Sequence, residues 1–482
     1  MTSHPRRMMA AMFLPLFAAL LSISIVNVAL PAIEAGLGAS DSDLQWVLSG
    51  YALAFGVALV PAGRAGDVWG RRRFFLLGVI FFGLASLLTA LAPDPLLLNI
   101  ARVLMGIGAG ILTPQIIGMI QRLFTGSERG RAYGLMSTVI GLAVAAGPAL
   151  GGLIIDTTSP EIGWRLTFLI NVPVTAAALL FAMLWLPRPE DDDAGPQAQD
   201  TAAASGSGLR GIHRLDPVGV LLLSAAVVLI MLPFIQFRSL FGAALGVLGA
   251  AVLLGWVLWE KRLGQRHAGA PMVNLALFTV PSYTLNSLVL GLYFTGMPAI
   301  WAIVAVYVQQ GLGEGALIAG LVTLPSALMV MLLSASVGKR VAERGTQLLV
   351  WGTVLSVVAM LAVAGAAALM STDYGSLWLL TAAVAVVGLS QALIIPSAQT
   401  LSMQDVPERM AGAAGGVAQT AQRVCTAVGV ALITGIYFTV SAHGEHQDGL
   451  VVGALGIAVF MVSSVAAAVF AARRARRAEA AA

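Results

Sequence analysis

Long apolar runs alternate with short polar ones along this chain, and the runs are too long for a soluble core. Fourteen stretches read as apolar helices: 8–31, 44–65, 74–92, 96–122, 131–155, 165–186, 216–236, 241–259, 282–308, 315–337, 346–369, 376–398, 412–437 and 449–471. About 20 mostly apolar helical residues cross a hydrocarbon core of roughly 30 Å, so each stretch is a candidate membrane span. The first two are the least regular, because Pro15 and the polar Ser49, Gly50 and Tyr51 interrupt them. Arg6 and Arg7 precede an apolar stretch that is too long for a cleavable signal and has no small-residue cleavage pattern. The expected fold is an all-α integral membrane bundle of 14 transmembrane helices.

The polar segments set the orientation. With the N-terminus inside and the spans alternating, 23 of the 27 Lys and Arg residues fall on the cytoplasmic side. Arg165 and Arg238 fall outside, and Arg102 and Arg423 lie within spans. Both termini are therefore expected in the cytoplasm of a cell whose inner (plasma) membrane holds the chain. The longest polar stretch, 187–215, reads as a flexible cytoplasmic linker, and its Asp191–Asp192–Asp193 run reads as solvated charge rather than a metal site. The outer segment His443–Asp448 has ligand-type residues with nothing to support a metal, and none is expected there.

Composition sharpens the class. Of 482 residues 58% are hydrophobic and 10% are charged, too few charges to cover a water-facing surface. A soluble enzyme, a disordered chain and a fibrous protein are excluded. The single Cys425 rules out an intrachain disulfide and a cysteine metal site. The net charge of +4 comes from topology determinants, so no nucleic-acid partner is expected. The 53 glycines suit close helix packing in a bilayer.

An internal repeat divides the chain. Gly106 and Pro114 in the fourth stretch match Gly388 and Pro396 in the twelfth, each pair eight residues apart. Glu128–Arg129 after the former matches Glu408–Arg409 after the latter, and Gly63 with Gly70 matches Gly338 with Gly345. The offsets are 282, 280 and 275, so one half is a duplicate of the other in parallel orientation. The expected organisation is a six-helix half at 1–186, the linker at 187–215, and two inserted helices at 216–260. A cytoplasmic loop at 261–281, a second six-helix half at 282–471 and a basic tail at 472–482 follow. Two pseudo-symmetric halves suggest a site between them, exposed to each side in turn by rocking.

At these residues the chain resembles the major facilitator superfamily, and within it the fourteen-span drug:proton antiporters. Gly63-Arg-Ala-Gly-Asp67-Val-Trp-Gly70-Arg71-Arg72 looks like the superfamily's loop 2–3 motif, and Arg102 with Gly106-Ile-Gly-Ala-Gly110 like its span-4 motif. Gly147-Pro148-Ala-Leu-Gly151-Gly152 resembles the span-5 antiporter motif. Ile25-Val-Asn27-Val-Ala-Leu-Pro31 and Trp164-Arg165-Leu-Thr-Phe-Leu-Ile-Asn171-Val-Pro173 are similar to segments of the fourteen-span branch. The resemblance implies alternating access, export of small amphipathic molecules such as drugs or metabolites, and a proton gradient as energy source. A monomer without a cofactor is expected.

In the family the loop Asp bonds the start of the thirteenth helix, here near Ala411–Gly412. Gly63, Asp67, Gly70, Arg71 and Arg131 would then form a cytoplasmic latch; alternatively Asp67 only balances its basic loop. The family's cavity implies Ser22, Asn27, Tyr51, Arg102 and Gln115 as lining residues from the first half, and Asn286, Tyr293, Trp301, Gln391 and Arg423 from the second. Aromatic faces suit a flat apolar ligand, but at helical spacing they are also ordinary packing. Ser22 stands where these antiporters carry an Asp, and Met105 where the span-4 motif often has a Gln. With no acid deep in any predicted span, a coupled proton falls to a group near a span end, such as Glu34 or Asp67, or to the substrate itself. No Gly-x-x-x-x-Gly-Lys-Ser/Thr loop is present to use ATP. A membrane enzyme lacks an embedded catalytic cluster here; a transporter of lipids or metabolites, a uniporter and a non-transporting sensor share the fold.

Overall fold

The computed structural model describes residues 5–187, 216–235, 240–266, 271–314, 316–370 and 375–481. The predicted linker lies outside the described residues except for Pro187, and so do the side chains of Asn27, Pro148 and Arg409.

The described residues form sixteen α-helices. They are α1 (Pro5–Ser24), α2 (Val26–Leu37), α3 (Asp41–Trp69), α4 (Arg71–Ala90), α5 (Pro95–Leu123), α6 (Gly126–Asp156), α7 (Pro160–Leu169) and α8 (Asn171–Trp185). Then come α9 (Pro217–Ile235), α10 (Leu240–Arg266), α11 (Pro281–Gly296), α12 (Ala299–Val306), α13 (Ala316–Leu369), α14 (Leu377–Met403), α15 (Ala411–Ser441) and α16 (His446–Ala481). Twelve helical segments among them are long and apolar enough to cross a membrane. One of these, Ile318–Leu369, contains a non-helical residue at Arg344 (φ −132°, ψ 18°).

Several predicted irregularities move. α1 runs through Pro15, and α3 runs unbroken through Ser49, Gly50 and Tyr51. The first apolar stretch breaks instead at Ile25. There Ser22 and Ser24 return their hydroxyls to the carbonyls of Ala18 (2.9 Å) and Leu21 (3.2 Å), a pattern that bends helices. The sixth stretch breaks at Ile170, with Pro173 unable to donate in the next turn. The ninth breaks at Met297–Pro298 for the same reason and ends in a π-turn over Tyr307–Gly311. α16 runs on through the residues of the predicted basic tail to Ala481.

The chain groups into two compact units. The first comprises Met1–Leu123, Ala143–Leu277 and Pro407–Thr420; the second comprises Phe124–Leu142, Phe278–Val406 and Ala421–Ala482. In the first, α5 packs on α3 and α4, α8 on α1, α7 on α2, and the α9–α10 pair on α3 through α9. In the second, α13 packs on α14 and α16, and α11 on both of those. Tyr293, Met297, Ile303, Val363 and Ile457 are buried in that second core. Large apolar side chains face outward, among them Leu84, Val247 and Trp351, the last two 73% and 69% exposed. A bilayer solvates such side chains; water would penalise them.

Glycine sets the closest helix contacts, and it does so in repeat-related pairs. A Cβ on Gly106 of α5 would meet Ala54 of α3 at 3.0 Å, and one on Gly388 of α14 would meet Ser326 of α13 at 2.6 Å. In the first unit Gly63 of α3 abuts Gly412 of α15 backbone to backbone; in the second, Gly338 of α13 abuts Gly130 of α6 in the same way. Gly63 and Gly338, matched in the repeat, thus each abut a glycine that closely follows a Glu–Arg pair.

Candidate functional site

Two polar clusters stand out in the first unit, and the first sits where α3 ends. Gly70 has φ +100°, a backbone conformation that favours glycine, and it turns the chain from α3 into α4 within one residue. That turn leaves Asp67 and Arg71 side by side. The Asp67 carboxylate accepts Arg71 Nη2 at 2.9 Å and Nε at 3.1 Å. Its other oxygen accepts the backbone N–H of Ala413, in the first turn of α15, at 2.9 Å. Both side chains are nearly buried, 3% exposed for Asp67 and 9% for Arg71. The Arg71 guanidinium also donates to the carbonyls of Gly118 and Glu408, so one arginine ties α3, α5 and the entry to α15 together. A negative charge at a helix N-terminus is favoured by the unpaired N–H groups and the helix dipole.

The glycines let this happen. A Cβ on Gly412 would meet the Gly63 carbonyl at 2.8 Å, and one on Gly416 the Leu59 carbonyl at 2.7 Å. Thr420 Oγ1 then donates to the Gly56 carbonyl at 3.1 Å, carrying the contact a turn further. Gln115 belongs with this cluster: its Nε2 donates to Ala62 (2.7 Å), and its amide fills the space beside Gly66. The bond from Asp67 lands on Ala413, just past the Ala411–Gly412 expected from sequence. Arg131 is not among the partners of Asp67; Arg64, one turn earlier on α3, faces it instead.

The second cluster joins Ser22, Asn171, Ser86, Tyr51 and Arg102. Asn171 Nδ2 donates to Ser22 Oγ (2.8 Å) and Ser86 Oγ (3.1 Å), and Ser86 Oγ donates to the Phe168 carbonyl at 2.8 Å. Arg102, 1% exposed, has no carboxylate partner among the described residues. Its Nε donates to the Val47 carbonyl at 2.8 Å, and its guanidinium lies over the rings of Tyr51 (4.4 Å) and Phe168 (5.6 Å). Aromatic faces and a carbonyl are the partners a desolvated cation takes in the absence of an acid. Tyr51 in turn donates its hydroxyl to Ala19 at 2.8 Å. Arg102 Nη1 and Asn171 Oδ1 are buried without a partner, so this cluster holds one unspent donor and one unspent acceptor. Asn171 sits inside the sixth-stretch motif with nothing local to mark it, and the pattern Ser22, Ser86 and Asn171 becomes visible only when α1, α4 and α8 meet.

The second-unit candidates are spread over α11, α12, α14 and α15. Asn286 Nδ2 donates to its own helix at Ser282 (2.7 Å). Tyr293 is buried in the apolar core with its ring edge-on to Phe294 at 5.4 Å, and Trp301 packs on the same core. Gln391 and Arg423 are half-buried on α14 and α15. His446 holds the Tyr437 hydroxyl at 3.0 Å and His443 the Thr439 carbonyl at 2.8 Å, which gives the predicted outer-segment residues a part in finishing helices.

The span-5 motif lies against the bend in the first stretch. Ser24 Oγ donates to the Ala143 carbonyl of α6 at 2.9 Å. A Cβ on Gly147 would meet the Ile25 nitrogen at 2.8 Å, and one on Gly151 the Ile25 side chain at 2.8 Å, whereas Gly152 has nothing within 4 Å. Gly147→Ala and Gly151→Ala are expected to lower the thermal midpoint in detergent, and Gly152→Ala to leave the midpoint unchanged, its stability staying within about 0.5 kcal/mol of the parent. Equal losses at all three positions would contradict this packing.

Similar proteins agree with this architecture. The chain is 32% identical over 469 residues to the puromycin resistance protein pur8 of Streptomyces alboniger, covering 92% of this chain and 87% of that one. It is 31% identical over 431 residues to the probable actinorhodin transporter of Streptomyces coelicolor, covering 87% and 70%. Its fold matches the solved proton:xylose symporter XylE with a TM-score of 0.67 at 14% identity, over 97% of this chain and 95% of that one. The chain is thus a multi-pass membrane transporter and not an enzyme. It belongs to the Major Facilitator Superfamily, whose sequence pattern matches residues 12–430.

Proposed function

We propose that this protein exports small neutral, zwitterionic or anionic amphiphiles from a bacterial cell across the plasma membrane, by proton-linked alternating access. The observation that carries the reading is the joint of Asp67 and Arg71 to the first turn of α15. It fastens the end of one repeat's second span to the start of the other repeat's fifth, and it does so through a charge-assisted bond that one substitution removes. We read it as a latch that holds one state of the cycle. The repeat-related contact, Gly338 on Gly130, has Ala342 where the latch has Asp67, so it lacks the equivalent carboxylate. Two such contacts of unequal strength favour a machine that pauses in one state and is released from it.

Fourteen crossings are the reading that helix lengths support. α13 has 54 residues and breaks at Arg344, enough for two passes, and α6 has 31, enough for one. α9 and α10 are then the inserted pair between two six-helix halves, with both termini cytoplasmic. Single cysteines placed in 187–215 of a Cys425→Ser protein are expected to resist a membrane-impermeant thiol reagent in intact cells and to react after permeabilisation. Labelling from outside would overturn the orientation.

The names of the relatives, puromycin resistance protein and actinorhodin transporter, support drug-like substrates. The Ser22–Asn171–Arg102 cluster supports their charge: it offers a buried cation and no acid. A permanent dication beside such a cluster lacks a counter-charge and is penalised by several kcal/mol. Uptake into inverted vesicles tests this with matched cationic, neutral and anionic amphiphiles. Accumulation of the neutral and anionic members is expected. Robust transport of a permanent dication, with none of the others, would refute the reading.

A further inference from the structure

In the second unit, α16 is longer than one membrane crossing needs, and its register against α13 shows which part is in excess. Gln447 Nε2, at the start of α16, donates to the Ala368 carbonyl, at the end of α13, at 3.3 Å. The two helices pack on each other, the start of one beside the end of the other, so they run antiparallel. At 1.5 Å per residue, the second pass of α13 from Ala368 back to Gly345 covers about 35 Å, and the same distance along α16 leads from Gln447 to Phe470. A hydrocarbon core is roughly 30 Å thick. Arg344, where α13 breaks, and Phe470 therefore lie at one level, about one core thickness from the Gln447 bond. α11 marks the same level independently. Ser464 Oγ donates to the Val289 carbonyl at 3.3 Å, and a Cβ on Gly296 would meet Ile457 at 3.2 Å, so α11 is also antiparallel to α16. The same rise per residue then sets Pro281, where α11 begins, beside about residue 472 of α16. Past Phe470, α16 continues for about 16 Å to Ala481.

The exposed side chains change character at this level. On α16 the apolar Val459, Val462 and Phe470 are 66%, 54% and 57% exposed, and the exposed residues that follow are Arg473, Arg474 and Arg477. On α13 the exposed Trp351 lies inside the level, and Lys339, Arg340 and Arg344 are exposed within two turns of it. None of these six cations forms an ion pair among the described residues, and Glu343, exposed between Arg340 and Arg344, pairs with none of them. Cations at the depth of the lipid headgroups and without a counter-charge complement a headgroup of net negative charge. A zwitterionic headgroup brings its own ammonium, which cancels most of that attraction.

We propose that this edge of the second unit, built from the break in α13 and the last turns of α16, binds anionic phospholipid. The headgroup phosphate meets Arg473, Arg474 and Arg477 from one helix and Lys339, Arg340 and Arg344 from the other, while the acyl chains lie along the apolar face that ends at Phe470. The site stands whichever side of the membrane this end occupies, and whether or not export is proton-linked.

Native mass spectrometry of the purified full-length protein tests it, with phosphatidylglycerol and phosphatidylcholine of matched acyl chains supplied together. The unmodified protein is expected to retain phosphatidylglycerol over phosphatidylcholine by at least about tenfold, because each headgroup-level cation contributes roughly a fivefold preference. Arg473→Gln/Arg474→Gln/Arg477→Gln should abolish most of that preference. Lys339→Gln/Arg340→Gln/Arg344→Gln, on the other helix, should lower it as well and decides the matter if the first variant does not fold. Arg6→Gln/Arg7→Gln removes exposed charge at the start of α1, in the first unit, and should leave the preference unchanged. Equal retention of the two lipids by the unmodified protein, or a preference unchanged in both triple variants, would overturn the proposal. So would an equal fall in Arg6→Gln/Arg7→Gln, or displacement of the bound lipid by soluble glycerol phosphate.

Discussion

Asp67→Asn is expected to leave a folded protein that transports at least about tenfold more slowly than its parent. The substitution keeps an oxygen for the Ala413 N–H but removes the charge that makes this bond and the Arg71 pair strong. Hydrogen bonds to charged groups contribute about 1.5–3 kcal/mol, and 1.4 kcal/mol is a factor of ten in an equilibrium. Arg71 retains the Gly118 and Glu408 carbonyls, which is why the fold should survive. Initial uptake rates in inverted vesicles, normalised to protein in the membrane, check this. A variant that transports at the parental rate would remove the latch role and leave Asp67 as a structural counter-charge.

Ser22→Asp is expected to reverse the charge preference. Ser22 Oγ already accepts from Asn171 Nδ2 at 2.8 Å, so an Asp there keeps a donor for one carboxylate oxygen. The other places a fixed negative charge in a cluster whose only ion is Arg102. Buried pairs of opposite charge are worth several kcal/mol relative to an unpaired ion, so the ratio of cation to anion transport should rise by at least about tenfold. The paired measurement is competition between matched cationic and anionic amphiphiles for one labelled substrate. An unchanged ratio in a variant of normal expression would place the substrate away from Ser22.

The membrane class and the superfamily were legible because they are written in bulk: in apolar runs, in the distribution of Lys and Arg, and in glycines at repeated spacing. Gly63 is marked by the motif and the repeat, and Ala411–Gly412 by the family resemblance alone. What the sequence concealed depends on three-dimensional convergence. Nothing in the local pattern says that Ser24 bonds back to Leu21 and so bends the first stretch at Ile25 rather than at Pro15. Asn171 reads as one more residue of the sixth stretch until α1, α4 and α8 bring Ser22 and Ser86 to it. Asp216 and Glu260 are 44 positions apart and both border predicted spans, where an acid is unremarked; their burial arises when α9 packs on α10. Tyr293 lies in the second core and Trp301 packs against it, and aromatic side chains at helical spacing look the same in a cavity wall and in a core.

Proton-linked export is the central claim, and flux driven by a pH gradient tests it most directly. Purified protein is reconstituted in proteoliposomes with a labelled neutral or anionic amphiphile outside. A lumen more acidic than the outside is then imposed, and accumulation is followed with no ATP present. Uptake above the equilibrium level is expected, with internal alkalinisation in step and loss of both when a protonophore is added. Equilibration that ignores the gradient would contradict the account, as would accumulation that persists after the gradient is collapsed.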